Sequence, residues 1–211
     1  MKKVYLVRHA ETDGNTGTIQ QGPETSLNAV GRHQIVTLTS RCSRIEFDRI
    51  VCSTMSRAKE TATPIIELSR KPVVYSDLFV ELRRPTTTMC KPKDHPNSLA
   101  FNRFFLENFG KPNARFADEE NFEDVKDRAL KALDFLTETP GDDLVIGHGL
   151  FARGMLACAV FGPNLTGHEC NAFSKAFRTR NTGITLFEYE FGRVFPWRVH
   201  TWNDHAHLST G

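Results

Sequence analysis

What the chain lacks narrows its biology first. No apolar run is long enough to cross a bilayer, and the strand-like run after Met1-Lys2-Lys3 holds only Val4, Tyr5, Leu6 and Val7, too short for a signal-peptide core. A cytoplasmic protein without a membrane partner is the expectation. Cysteine is sparse and unpatterned: Cys42, Cys52, Cys90, Cys158 and Cys170 are odd in number and contain no Cys-x-x-Cys pair. That spacing indicates neither a disulfide framework nor a zinc site, and the five read as reduced thiols. Neither sign of charge is in excess. With 27 basic and 25 acidic residues the net charge is +2, which offers no bulk attraction to nucleic acid. Internal repeats, low-complexity tracts and linkers are also missing.

What is present suits one core. A chain of 211 residues with 39% hydrophobic content reads as a single domain over residues 1–211. Strand-like segments at Val4–Val7, Asp48–Cys52, Val73–Tyr75 and Leu144–Gly147 alternate with helical patterns. The alternation predicts an α/β fold: a three-layer sandwich with a mostly parallel central sheet and helices on both faces. Helices are expected over Asn28–Thr39, Arg57–Ser69, Phe122–Thr137 and Leu150–Phe161. The third has an apolar face of Phe122, Val125, Ala129, Leu133 and Leu136, with Asn121 as its N-cap. Ile184–Glu190 and Arg193–Thr201 read as a closing hairpin around Gly192. Residues 83–118 differ, because Pro85, Pro92, Pro96 and Pro112 interrupt them, and they are expected to form an inserted cap. Its Phe101, Phe104, Phe105 and Phe109 are expected to pack as a satellite core rather than to touch substrate.

The chemistry begins where the first strand ends. Arg8-His9 stands at the C-terminal end of that strand, where open α/β sheets keep their ligands. A guanidinium there can hold an oxyanion in a fork of donors while the imidazole attacks it or passes a proton. Phosphate is the obvious partner. Further along come Ser53-Thr54-Met55-Ser56-Arg57-Ala58-Lys59-Glu60-Thr61-Ala62 after the second strand, Glu81 after the third, and Gly147-His148-Gly149 after the fourth.

In this order, over residues 4–149, the pieces resemble the histidine phosphatase superfamily, which includes the cofactor-dependent phosphoglycerate mutases. The resemblance implies His9 as a nucleophile that forms a phosphohistidine, with its other ring nitrogen donating to a backbone carbonyl. It implies Arg8, Arg57 and Asn15 as phosphate-binding residues, and His148 as a further donor if the nearby dianion protonates it. Thr12 is a weaker candidate. Glu81 is implied as the general acid, its carboxyl kept protonated by the charge of the phosphate. Asp77 is the competing carboxylate, but is expected to start a strand. Gly147 and Gly149 are read as allowing a tight turn and a close approach of backbone to ligand.

Two departures stand out. Ala10 replaces the motif's usual Gly, and Leu82-Arg83-Arg84-Pro85 follows Glu81 where relatives carry other stretches. Arg83 and Arg84 are candidates for binding a second anionic group of the substrate. The reading is a phosphomonoester hydrolase acting on a small phosphorylated metabolite, with no metal and no other cofactor. Phosphoglycerate mutase-type phosphoryl transfer and a non-catalytic phosphate-binding module are the alternatives. His205-x-His207 hints at a metal site, but no Asp, Glu or His is convincingly spaced with it, and a solvated tail is expected. His33, His95 and His168 carry no functional expectation. Substrate identity and oligomeric state have no signature here.

Overall fold

The structure, a computed structural model, describes residues 1–208. Strands β1 (Lys2–Arg8), β2 (Arg49–Ser53), β3 (Val73–Ser76) and β4 (Asp143–Gly147) are parallel, and β5 (Ile184–Tyr189) and β6 (Trp197–Asp204) complete one edge antiparallel. The order across the sheet is β3-β2-β4-β1-β5-β6. In chain order the helices are α1 (Asp13–Thr16), α2 (Ala29–Cys42), α3 (Ser56–Ser69), α4 (Pro96–Asn108), α5 (Phe122–Thr137), α6 (Gly149–Phe161) and α7 (Gly167–Ala176). The α/β sandwich with a mostly parallel sheet is therefore present. No helix among the described residues is long and apolar enough to cross a membrane.

The period of two along a strand explains the layers. On β4, Leu144 and Ile146 join Val7, Leu38, Ala58, Ala62 and Ile65 in the core beneath α2 and α3. Val145 points the other way, into a core with Leu6, Leu133, Leu136, Phe151 and Met155 under α5 and α6. Every residue of β4 is buried, as a central strand covered on both faces requires. Its first residue is Asp143, whose carboxylate is buried with Lys2 at 2.9 Å and Arg49 at 2.9 Å. Those ion pairs close the end of the sheet away from the motifs.

Helix α5 follows the sequence pattern to the residue, and the Asn121 side chain accepts from the Asp124 N–H. Other boundaries differ. β6 begins at Trp197 rather than Arg193, because Pro196 has no N–H to give a ladder and the Glu190 N–H closes the loop on its carbonyl at 2.8 Å. Asp77 does not start a strand. β3 ends at Ser76, whose side chain accepts from the Leu78 N–H and caps a 3₁₀ turn over Asp77–Phe79. α7 was not expected, since its buried residues are only Gly167 and Cys170.

Residues 83–118 hold a 3₁₀ turn at Thr86–Thr88 and α4. They are clasped to the loop after α1: Gln20 N–H donates to Lys91 O at 2.8 Å and Lys93 N–H to Thr18 O at 2.6 Å. Phe101 packs on Phe105 and Phe116, and Phe105 packs on Phe109, which meets Phe122. The aromatic residues thus form a satellite core. The C-terminal tail is not solvated as expected: it turns through Ala206–Leu208, and His207 Nε2 lies 3.1 Å from Thr182 Oγ1.

Candidate active site

Strand register assembles the site. Pairing of Arg8 with Gly147 makes His9 and His148 leave adjacent strands together; His9 N–H donates to Gly147 O at 2.9 Å, and the imidazole centroids are 5.1 Å apart. On the other side of β4, β2 delivers Ser53 and the first turn of α3, which carries Arg57. A cavity of about 630 Å³ opens here, lined by Arg8, His9, Asn15, Arg57, Glu81 and Arg84 among others. His148 is buried beside His9. A second cavity, about 600 Å³ between α2, α3 and the opposite sheet end, contains none of the motif residues.

The protonation of His9 follows from its contacts. Nδ1 lies 2.7 Å from Ala10 O, and a carbonyl can only accept, so Nδ1 carries the hydrogen and Nε2 a lone pair. Arg57 Nε–H donates toward that lone pair at 3.3 Å. Burial first, then competition with the adjacent His148 ring, which makes a second proton at the pair unfavourable, and the charges of Arg57 and Arg8 hold the His9 pKa well below 6.5 despite the Ala10 hydrogen bond. The ring is neutral and nucleophilic at pH 7.

The surrounding donors are fixed by the protein. Arg57 is 2% exposed, and its Nη1 donates to Gly22 O at 2.9 Å. Burial lowers its pKa to about 10, which leaves it cationic. Arg8 Nη1 donates to Thr179 O at 2.6 Å, while its buried Nε has no partner among the described residues. Asn15 Oδ1 accepts from Thr12 N–H, Thr12 Oγ1 and Asn181 Nδ2, which orients the amide and leaves its own NH₂ uncommitted among the described residues. Gly149 is needed for close approach: a Cβ there would stand 2.9 Å from Thr179 Oγ1 and 3.2 Å from Arg8 Nε. Gly147 has room for a Cβ, so no such constraint applies to it. Ala10 is fully buried with its N–H donating to Thr61 Oγ1, and its methyl is accommodated.

Glu81 is held by backbone donors. Its carboxylate accepts from Leu82 N–H, Leu150 N–H and Phe151 N–H at 2.8–3.1 Å, capping the N-terminus of α6. Burial raises its pKa, but the three backbone donors and Arg57 outweigh that and set it below the usual carboxylate value. His148 likewise is not protonated here. Burial and the charges of Arg57, Arg128 and Arg8 hold it well below 6.5.

Several contributors escaped sequence reasoning. Asn181 Nδ2 donates both to His9 O at 2.8 Å and to Asn15 Oδ1. Arg128 donates to Leu78 O and Val80 O, just before Glu81, and is paired with Glu120 at 2.6 Å; Glu120 in turn accepts the Arg83 N–H. These contacts join ordinary residue types far apart in sequence, and only the Asn121-capped helix around Arg128 was legible. Arg83 and Arg84 separate. Both line the cavity, but Arg83 is half exposed and points toward Glu120, whereas Arg84 has Asn102 Oδ1 as its hydrogen-bond acceptor at 3.2 and 3.3 Å and lies over the Phe101 ring. Asp77 also lines the cavity and accepts from Thr54 Oγ1. Among the described residues no group of three or more His, Cys, Asp or Glu side chains is disposed to hold a metal, His205 and His207 included.

Comparison with known proteins places the chain in a family. A probable phosphatase of Schizosaccharomyces pombe is 44% identical over 81 residues, 37% of this chain and 39% of that protein. The probable phosphoglycerate mutase GpmB of Escherichia coli is 27% identical over 99% of this chain and 95% of its own. The solved structure of Bacillus stearothermophilus YhfR superposes with a TM-score of 0.82 at 23% identity, covering 99% of this chain and 100% of that one. The family model of the histidine phosphatase superfamily (branch 1) matches residues 4–205. That match runs from the strand that delivers Arg8 and His9 to the docked tail, and the chain belongs to this superfamily.

Proposed function

We propose that the protein is a phosphomonoester hydrolase that works through a phosphohistidine at His9 and needs no metal. The observation that carries this reading is the Nε2 lone pair of a buried, neutral His9 held between Arg57 and the second neutral imidazole. Nε2 attacks phosphorus and forms the P–N bond while the P–O bond to the leaving group breaks. Glu81 gives its proton to the leaving oxygen, and Arg8, Arg57 and Asn15 hold the equatorial oxygens. Water then gives a proton to the Glu81 carboxylate as its oxygen attacks phosphorus, the P–N bond breaks, and neutral His9 returns. Nδ1–H keeps its bond to Ala10 O throughout.

The Glu81 proton is supplied on binding. In the free site the carboxyl is ionised at neutral pH, and the phosphoryl charge raises its pKa when substrate arrives, so the proton enters with the substrate or from solvent. Hydrolysis is preferred to mutase transfer in this reading because Asp77, Arg83 and Asp118 at the cavity are exposed and put part of its wall in contact with solvent. A substrate with a second anionic group, such as a phosphorylated carboxylic acid, suits Arg84.

The test is a screen of phosphomonoesters in the presence of chelator, with inorganic phosphate as readout, followed by mass spectrometry of samples quenched without acid. Phosphate release with chelator present and a phosphoryl group on His9 are expected. Isomerised phosphoglycerate without phosphate release would establish the mutase instead. Full activity of His9→Ala would overturn the mechanism, and binding with neither turnover nor label would leave a silent module.

A further inference from the structure

Ser53 opens the motif that carries Arg57, yet the reaction above gives it no task. It is the last residue of β2 and fully buried. Its Oγ stands 2.8 Å from His148 Nε2 and accepts the Met55 N–H at 3.3 Å. A hydroxyl has one proton to give, and a backbone N–H cannot receive it. His148 Nε2 is the acceptor within reach.

A neutral imidazole has one N–H and one lone pair. If Ser53 donates to Nε2, the lone pair is spent there and the hydrogen must be on Nδ1. That nitrogen is buried and without a partner among the described residues, as is Arg8 Nε. Buried donors are rarely left unpaired, because each carries its full desolvation cost. Arg8 lines the cavity and the His148 ring lies 5.1 Å from that of His9, so anionic oxygens bound beside His9 Nε2 would be within the neighbourhood of both. The opposite tautomer would leave the Ser53 hydrogen without an acceptor and turn a lone pair toward the anion.

We propose that Ser53 is a positioning residue that locks His148 as the neutral Nδ1–H tautomer, so that His148 donates to a phosphoryl oxygen without being protonated. The two imidazoles then share one tautomer and use opposite nitrogens: His9 offers Nε2 to phosphorus, and His148 offers Nδ1–H to oxygen. This rests on reading the site as one for phosphoryl transfer, but its test does not need turnover.

The protein labelled with ¹⁵N-histidine is examined by NMR at pH 7.5, with the His148 signals assigned from His148→Asn. A protonated-type Nδ1 and an unprotonated-type Nε2 are expected, and Ser53→Ala should move the hydrogen to Nε2. Binding of orthovanadate, a phosphoryl analogue, should weaken by about 10- to 100-fold in Ser53→Ala, the cost of one hydrogen bond to a charged group. Ser53→Thr, which keeps the hydroxyl, should restore the Nδ1–H signal. Asn places its amide nitrogen near the Nδ1 position and Gln near Nε2, so His148→Asn should bind vanadate at least about tenfold more tightly than His148→Gln. Those two variants and the wild-type spectrum decide the matter if Ser53→Ala does not fold. A wild-type His148 protonated at Nε2, or Gln outperforming Asn, overturns the proposal. A protein that shows the Nδ1–H signal and binds vanadate but hydrolyses nothing supports it while defeating the hydrolase reading.

Discussion

The two sides of the cavity are built on different terms. On the side proposed to bind phosphate, His9, Arg57 and His148 are 2%, 2% and 1% exposed, and backbone or buried side-chain atoms hold each in one orientation. On the substrate side stand residues 83–118, where Arg83 is 52% exposed and Asp118 lies in solvent. Positions set by strand register tolerate little change, whereas side chains on a proline-interrupted segment can be exchanged without disturbing the sheet. On the proposed function, reaction type is thus written into the frame, and substrate choice into a wall that can vary separately.

The largest test of this division is Glu81→Gln. The variant keeps size and an acceptor but has no proton to transfer, so hydrolysis of alkyl phosphates should fall by roughly 10²–10⁴, the usual worth of a general acid. Nitrophenyl phosphate, whose leaving group departs unaided, should be much less affected. Because Glu81 is held ionised in the free site, raising the pH removes the proton it must acquire on binding, and alkyl-ester kcat/KM should fall on the alkaline side. Gln should abolish that limb. Equal losses for both ester classes, with Asp77→Asn showing the leaving-group dependence, would give the role to Asp77.

How much of this was legible from sequence follows the same division. Arg8, His9, Arg57 and His148 stand next to strand ends or in a helix's first turn, where local pattern and order locate them. Glu81 was found by family position, but not its capping of α6, which depends on Leu150 and Phe151 seventy residues away. Asn181 bonds His9 O and Asn15 Oδ1 across more than 160 residues with no local pattern to signal it, and Ser53, though it opens the motif, shows its contact with His148 only in the fold. Arg83 and Arg84 looked equivalent as adjacent residues. In the fold, Glu120 beside Arg83, and Asn102 and Phe101 beside Arg84, distinguish them.

The phosphate side should also make the protein sensitive to acid. His9 and His148 are held well below 6.5 when folded, so below that pH the unfolded chain binds protons that the native state refuses. Their contribution is fully present above pH 6.5 and is lost as pH falls, by up to about 2.7 kcal/mol per pH unit for two such groups. Thermal melts from pH 7.5 to 5 should show this slope, and His148→Asn should reduce it by about half. An unchanged slope in that variant would mean that His148 titrates normally.

The smallest effects belong to the substrate side and separate two neighbouring arginines. Arg84 is a cation in the cavity wall whose hydrogen-bond acceptor is the neutral Asn102, and its guanidinium carbon lies 5.2 Å from the centroid of the Phe101 ring. Burial lowers its pKa, opposed by Glu81, so a further anion beside it would be welcome. Arg83 is already served, since it stands 3.9 Å from Glu120 and faces solvent. Arg84→Met retains length and the apolar contact with Phe101 but removes the charge. For a phosphorylated carboxylic acid that is a substrate, its KM should rise by about 10- to 100-fold, corresponding to about 1.5–3 kcal/mol for a hydrogen bond to a charged group. For nitrophenyl phosphate, which has no second anion, the change should stay within about twofold. Arg83→Met should stay within about twofold for both. If Arg83→Met has the larger effect, or Arg84→Met weakens both substrates equally, the cavity wall does not read a second anion through Arg84, and the separation between a fixed phosphate side and a selective wall fails at this residue.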